Sequence, residues 1–154
     1  MFAKEMERLR RVLQGICNIL LCGLVVSVSY VAFMRYVFKN TPSWGESLAL
    51  VFMVWFCLLS SSLAVSKDIH LKMTLIDNII SEKNIKKLNI ISVLLWIIFG
   101  IVMLFFGIRL TILTNRNIIT GLGIPSSIMY VALPVSGVIF ILEAIDRGRM
   151  LLWE

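Results

Sequence analysis

The sequence predicts an all-α integral membrane protein with four transmembrane helices, and its composition and charge distribution support that prediction. Of the 154 residues, 59% are hydrophobic and 16% are charged, whereas soluble domains are about 45–50% apolar and about 25% charged. The charges are segregated, which leaves four uncharged runs at 12–34, 47–66, 88–108 and 117–142. Each run reaches the roughly 20 helical residues that cross a bilayer core of about 30 Å. This composition excludes a soluble catalytic domain, a nucleotide-binding domain and a secreted fold.

The basic residues predict the orientation of the four helices. Eleven of the 15 lysines and arginines flank one side of the membrane, at the two ends of the chain and in the segment 67–87. Cytoplasmic loops of membrane proteins carry the excess of Lys and Arg, so both termini and the segment 67–87 are predicted to be cytoplasmic. Because the charge of +6 sits beside apolar runs, we expect no nucleic-acid partner. The four basic residues on the other side are Arg35, Lys39, Arg109 and Arg116.

The first half of the chain predicts two spans, at about 12–38 and 46–66. Residues 1–11 have apolar side chains at helical spacing and predict an amphipathic interfacial segment. The uncharged run that follows is longer than the apolar region of a signal peptide, about 7–15 residues, so we expect an uncleaved anchor. Pro42 disfavours helix at the residue before it and separates the two spans.

The second half predicts spans at about 86–113 and 125–145. Between the two halves, residues 69–80 carry an apolar stripe that predicts a short interfacial helix on the cytoplasmic surface. Pro134 falls inside the fourth span, where it removes a backbone hydrogen bond and favours a kink. We expect residues 1–154 to form a single membrane domain.

The side chains that could support catalysis or ligation are scarce. His70 is the only histidine, and the three cysteines all fall in predicted spans, where they behave as small hydrophobic residues. We therefore expect no haem, zinc or other cofactor and no enzyme. A coupled transporter acting alone usually needs an ionisable group near the membrane midplane, and the four uncharged runs contain none.

Four residues, three of them polar and near the span ends, have two possible roles each. Glu46 either stabilises a helix N-terminus or contacts another subunit or Arg35. Arg35 either extends its charge to the interface or pairs with Glu46. His70 is either an interfacial polar residue or a contact to a partner subunit or lipid headgroup. Pro134 is either a packing kink or a hinge.

Two further residues are candidates for contacts at the membrane surface or between helices. Trp44 lies where an interfacial aromatic anchor is expected. Ser61, like Gly23, is small enough to allow close contact between helices.

Several short motifs occur in an order that resembles a known family. Arg35 to Phe38 closes the first span, and Trp44-Gly45-Glu46 opens the second. Lys67 to Leu71 follows the second span, Gly123 to Pro125 opens the fourth, and Leu133-Pro134 lies within it. Over residues 8–147 this pattern resembles the DctQ-like small membrane subunit of tripartite ATP-independent periplasmic (TRAP) transporters. It departs at Ser47, where the family has a second acidic residue, and at 60–62, where a glycine is common.

The resemblance implies a role in sodium-driven uptake of organic acids, such as sialic acid or dicarboxylates, across the bacterial inner membrane. The implied partners are a large multi-span subunit of the elevator type, membrane lipids and, indirectly, a periplasmic substrate-binding protein. The small subunit would act as scaffold and membrane anchor. The alternatives are an independent small four-helix transporter, and a membrane anchor or assembly subunit of another complex. The candidate partner or interface residues are Arg35, Trp44, Glu46, Ser61, His70 and Pro134.

Overall fold

The computed structural model describes residues 2–76 and 82–153, with side chains over 5–65 and 87–149. The described chain is helical nearly throughout, and the predicted all-α class with four potential membrane spans is confirmed. The potential spans are Glu5–Val37, Ser43–Val65, Lys87–Thr114 and Ser127–Arg149. The helices are α1 Phe2–Val37, α2 Ser43–Ile76, α3 Glu82–Thr114, α4 Ser127–Tyr130 and α5 Ala132–Trp153.

Two helices extend well beyond the predicted spans. The amphipathic N-terminal segment belongs to α1, and residues 66–76 continue α2 instead of forming a separate interfacial helix. Neither stretch contains a proline, and α2 has no glycine after Gly45, so no residue with a strong helix-breaking tendency interrupts them. The end of the predicted interfacial stripe, at 77–80, lies outside the described residues.

The long helices form an open row in the spatial order α1, α2, α5, α3. Helix α1 packs against α2, α2 against α5, and α5 against α3, while α1 touches α5 only slightly. Over the described ranges, 2–76 and 82–153, α1 and α3 do not approach each other. They are therefore the two edges of the row, and both present large exposed apolar side chains, such as Val26 and Phe106.

Contacts between helices show which helix ends lie on the same side of the molecule. At one end, Arg10 of α1 contacts Glu143 of α5. At the other end, the hydroxyl of Ser47 donates to the carbonyl of Thr120 at 2.6 Å. About 12 Å farther along α2, the indole N–H of Trp55 donates to the carbonyl of Ile128 at 3.0 Å. The beginning of α1 and the end of α5 thus lie at the same end of the molecule.

Glycines set the close packing between α3 and α5. A Cβ on Gly100 would lie 3.0 Å from the carbonyl oxygen of Gly137, and a Cβ on Gly137 would lie 2.9 Å from the carbonyl oxygen of Gly100. Farther along, a Cβ on Gly107 would lie 2.8 Å from Cδ of Pro134. We call these four residues the α3–α5 seam. Small residues of this kind let helix backbones approach in lipid, where apolar burial gives little drive for association.

The helix of the fourth span is interrupted at Val131, between α4 and α5. This break lies three residues before Pro134, close to the predicted kink. The amide of Val131 donates to the carbonyl of Ser127 at 2.8 Å, and the amide of Val135 donates to the carbonyl of Val131 at 3.3 Å. Pro134 has no amide hydrogen to offer to the carbonyl of Tyr130, which accounts for a break in regular helix here. The contact between Pro134 and Gly107 shows that the proline packs within the chain.

The threading yields a topology prediction. If both termini and the segment 67–87 are cytoplasmic, a cysteine introduced at Asn40 should react with a membrane-impermeant maleimide added to intact cells, and a cysteine at Asn84 should not. The background is a variant in which Cys17, Cys22 and Cys57 are replaced by Ser. Labelling at position 84 but not at position 40 would reverse the predicted orientation.

Candidate functional site

A buried ion cluster joins the N-terminal part of α1 to α5. Nε of Arg10 donates to both carboxylate oxygens of Glu143, at 3.1 and 3.0 Å, and its Nη2 donates to Oε2 of Glu143 and to Oδ2 of Asp146, both at 2.6 Å. Glu143 is fully buried, and the side chain of Asp146 is 5% exposed. Because residues three apart lie on the same helix face, the two carboxylates form one site for a single guanidinium.

The cluster compensates for the burial of its charges by pairing them. Ionised side chains lose hydration when they are buried, and geometry as good as a forked Arg–carboxylate contact is needed to offset that loss. Helix α1 contacts α5 only slightly elsewhere, so Arg10 is the main link between these two helices. We call Arg10, Glu143 and Asp146 the buried ion cluster.

Arg147 extends the polar contacts of α5 towards α2. It is 3% exposed, its Nη1 donates to the carbonyl of Val65 at 3.4 Å, and its Nε has no hydrogen-bond partner in the structure as described. The end of α5 therefore contacts α1 through its carboxylates and α2 through its guanidinium. This site was not among the candidates from the sequence, because Glu143 and Asp146 lie just past the last uncharged run, where charges at a helix end are ordinary. The available signal was the spacing of Glu143 and Asp146 among apolar residues of the same helix.

The opposite end of the molecule holds a cavity between α1 and α2. Its volume is about 260 Å³. Arg35 lies in the last turn of α1 and Glu46 in the first turn of α2, where each charge has the sign that the helix dipole favours. Both side chains line the cavity, yet no ion pair within 4.0 Å joins them in the part of the chain described. The lining residues are Val28, Val31, Ala32, Arg35, Tyr36, Gly45, Glu46 and Ala49.

Aromatic and backbone contacts fix the helices around this cavity. The ring of Trp44 stacks on that of Tyr30, with centroids 5.7 Å apart and planes at 25°. Gly45 is buried, and a Cβ there would overlap Cγ2 of Val31, so glycine allows α2 to begin directly against α1. Beside this junction, Gly121 has a φ of +88° and lies against the backbone of Ser43, and so needs both the freedom and the small size of glycine.

The candidate residues from the sequence do not assemble into one site. Arg35, Trp44 and Glu46 cluster at the α1–α2 end, whereas Ser61 lies 15 residues farther along α2, which corresponds to about 22 Å of helix. Ser61 is exposed; the buried serine is Ser62, which is 0% exposed and donates to the carbonyl of Leu59 at 2.7 Å. Ser61 is therefore not buried within the chain, and its role as a partner or interface contact stays a prediction.

The remaining two candidates have different outcomes. Pro134 is packed against Gly107 within the chain. His70 belongs to α2, and its side chain lies outside the described residues.

Comparison with known proteins identifies the family. The family model for the DctQ component of tripartite ATP-independent periplasmic transporters matches residues 24–151. The sialic acid TRAP transporter small permease protein SiaQ of Vibrio cholerae serotype O1 is 24% identical over 151 residues, covering 93% of this chain and 85% of the relative. Together with the four potential membrane spans, these matches show that the chain belongs to the DctQ component family of TRAP transporters, as a multi-pass small permease subunit of the bacterial inner membrane and not as an enzyme.

Proposed function

We propose that this subunit is the scaffold and membrane anchor of a large elevator-type subunit in a sodium-driven system for organic acid uptake. The observation that carries the proposal is the open row of helices. A self-contained four-helix bundle would bury one face of every helix, whereas α1 and α3 here each pack mainly on one neighbour. The open row leaves a broad apolar surface on which a larger membrane partner can pack.

The distribution of charge favours a structural role for this subunit over a role in carrying the substrate or the coupling ion. The charges that the structure places in polar sites lie near the two ends of the helices. One group is the buried ion cluster, and the other is at the cavity of Arg35 and Glu46. The uncharged runs between them contain no Asp, Glu, Lys, Arg or His that could serve a coupling ion, and such side chains mark ion pathways in membrane proteins. We therefore assign the sodium and substrate sites to the large subunit.

The substrate class rests on the family and on the relative from Vibrio cholerae, which is named for sialic acid. A carboxylated substrate of this kind would reach the large subunit from a periplasmic substrate-binding protein. Exposed residues of this chain are the candidates for contacts to these partners. Among them we propose Trp44 and Ser61, while Arg35 and Glu46 act through the cavity that they line, Pro134 acts within the chain and His70 stays a candidate from the sequence alone.

Reconstitution tests the proposed function. Liposomes that hold this chain alone should show no sodium-driven uptake of sialic acid or dicarboxylates, because the spans lack a coupling group. Liposomes that hold the chain with its large subunit, supplied with the periplasmic binding protein, should show uptake that depends on a sodium gradient. The control is the large subunit alone, which should be poorly active or poorly retained. Sodium-driven uptake by this chain alone would overturn the scaffold role.

A further inference from the structure

The cavity between α1 and α2 holds a cation and an anion that do not neutralise each other. Arg35 and Glu46 line the same space from different helices without forming an ion pair within 4.0 Å in the described chain. We propose that this cavity binds the headgroup of a phospholipid that carries both a phosphate and a primary amine, a lipid of the phosphatidylethanolamine type. This inference is independent of the proposed scaffold function, because it concerns only the α1–α2 pair.

The size of the cavity suits a headgroup and excludes a whole lipid. Its volume of about 260 Å³ is below the roughly 300 Å³ at which pockets for complete small molecules begin. The acyl chains must therefore lie outside the cavity, on the surface of the helices.

An apolar stripe on α1 leads out of the cavity and provides that surface. Leu21, Val25 and Val28 are 41%, 57% and 51% exposed, and with Ala32 and Arg35 they follow the three- and four-residue spacing of one helix face. From Val25 to Arg35 the helix rises about 15 Å, which is half of a bilayer core of about 30 Å. One acyl chain can thus follow the stripe through a single leaflet while its headgroup reaches the cavity.

The charges in the cavity match this headgroup in sign and in hydrogen-bonding capacity. A guanidinium can donate two parallel hydrogen bonds to phosphate oxygens, and a carboxylate can accept from a primary ammonium. A choline headgroup has no N–H to donate, and a glycerol headgroup has no positive charge for Glu46. The stacked pair of Tyr30 and Trp44 lies at the same end of α1 and α2, where interfacial aromatic residues meet lipid headgroups.

Lipid retention tests the proposal. The full chain is equilibrated in micelles with equal amounts of dioleoyl phosphatidylethanolamine, phosphatidylcholine and phosphatidylglycerol, and retained lipids are counted by native mass spectrometry. We expect phosphatidylethanolamine to be retained about tenfold better than phosphatidylcholine, the factor that one hydrogen bond to a charged group contributes. Glu46→Gln should abolish that preference, and Arg35→Gln should lower the retention of all three lipids.

A matched control separates this site from general interfacial charge. Arg109 is predicted to lie near the same membrane surface, with its guanidinium 5.6 Å from the ring centre of Phe105, and it does not line the cavity, so Arg109→Gln should change nothing. The wild-type preference among the three lipids tests the site even if a variant does not fold. Equal retention of the three lipids would overturn the proposal. So would a photo-crosslinker at Tyr36 that captures a partner protein instead of lipid in the native complex.

Discussion

Arg10→Ala should destabilise the folded chain by about 3–5 kcal/mol, because removing one partner of a buried ion pair leaves the other charge uncompensated. In this molecule the substitution removes two ion pairs, since Arg10 donates to both Glu143 and Asp146. The two carboxylates would remain on one buried helix face with like charges together. Helix α1 should then lose its link to α5 while it keeps its packing on α2. The measurement is the fraction of monodisperse protein that survives heating in detergent, followed by size-exclusion chromatography.

A nearby arginine provides the control for that prediction. Arg8 pairs with Glu5 at 3.6 Å, and both side chains are about two-thirds exposed, so Arg8→Ala should cost no more than about 1 kcal/mol. Combining Arg10→Gln with Glu143→Gln should cost less than the sum of the single changes, because both partners of the pair are then neutral. Equal heat resistance of Arg10→Ala and the wild type would show that the buried ion cluster does not hold the helices together.

The spans could be predicted from the sequence because the cost of placing charge in hydrocarbon is large. Runs without Asp, Glu, Lys or Arg must be rare unless a bilayer selects them. The first three runs fall within long helices of the structure, whereas the fourth begins at 117, in the connection between α3 and α4, and continues into the fourth span, Ser127–Arg149. The helix ends were harder to locate. Nothing at the edge of a bilayer forces a helix to stop, so α2 continues through Lys67 and Asp68 to Ile76.

The order of the helices could not be predicted, for a physical reason. A helix side that faces lipid is as apolar as one that faces another helix, so the exposed side chains of α3, such as Leu94 and Phe105, resemble core residues in the sequence. The buried ion cluster was missed on similar grounds. Arg10 and Glu143 lie at opposite ends of the chain, and only the spatial arrangement of α1 and α5 shows that they meet.

The candidate site at the α1–α2 end was easier to anticipate. A turn of only a few residues joins the two helices, so Arg35 and Glu46 had to lie close together at the same end. Whether their charges would pair depended on side-chain positions within one turn of helix, which spacing alone does not determine. In the structure they line one cavity and do not form an ion pair.

Glycine substitutions should separate the α3–α5 seam from helix surfaces that tolerate larger residues. Gly137→Leu should be strongly destabilising, because its Cβ would lie 2.9 Å from the carbonyl oxygen of Gly100 and 3.0 Å from the amide nitrogen of Leu104. Overpacking a tight contact costs about 1–3 kcal/mol when neighbours can shift. Here the neighbours are backbone atoms of a helix, which cannot move as a side chain can, so we expect a cost at or above the top of that range.

The position of α3 increases the consequence of that substitution. As an edge helix it packs on α5 and the short α4, so opening the seam would leave most of its surface without a helical neighbour. Gly15→Leu is the matched control, since a Cβ on Gly15 would meet no atom within 4 Å. Gly23→Leu should fall between the two, because its nearest contact, at 3.1 Å, is the movable ring of Phe52. The check is the heat resistance of the three variants in detergent, with helical content measured by circular dichroism. If Gly137→Leu were as stable as Gly15→Leu, the close approach of α3 and α5 at these glycines would be wrong.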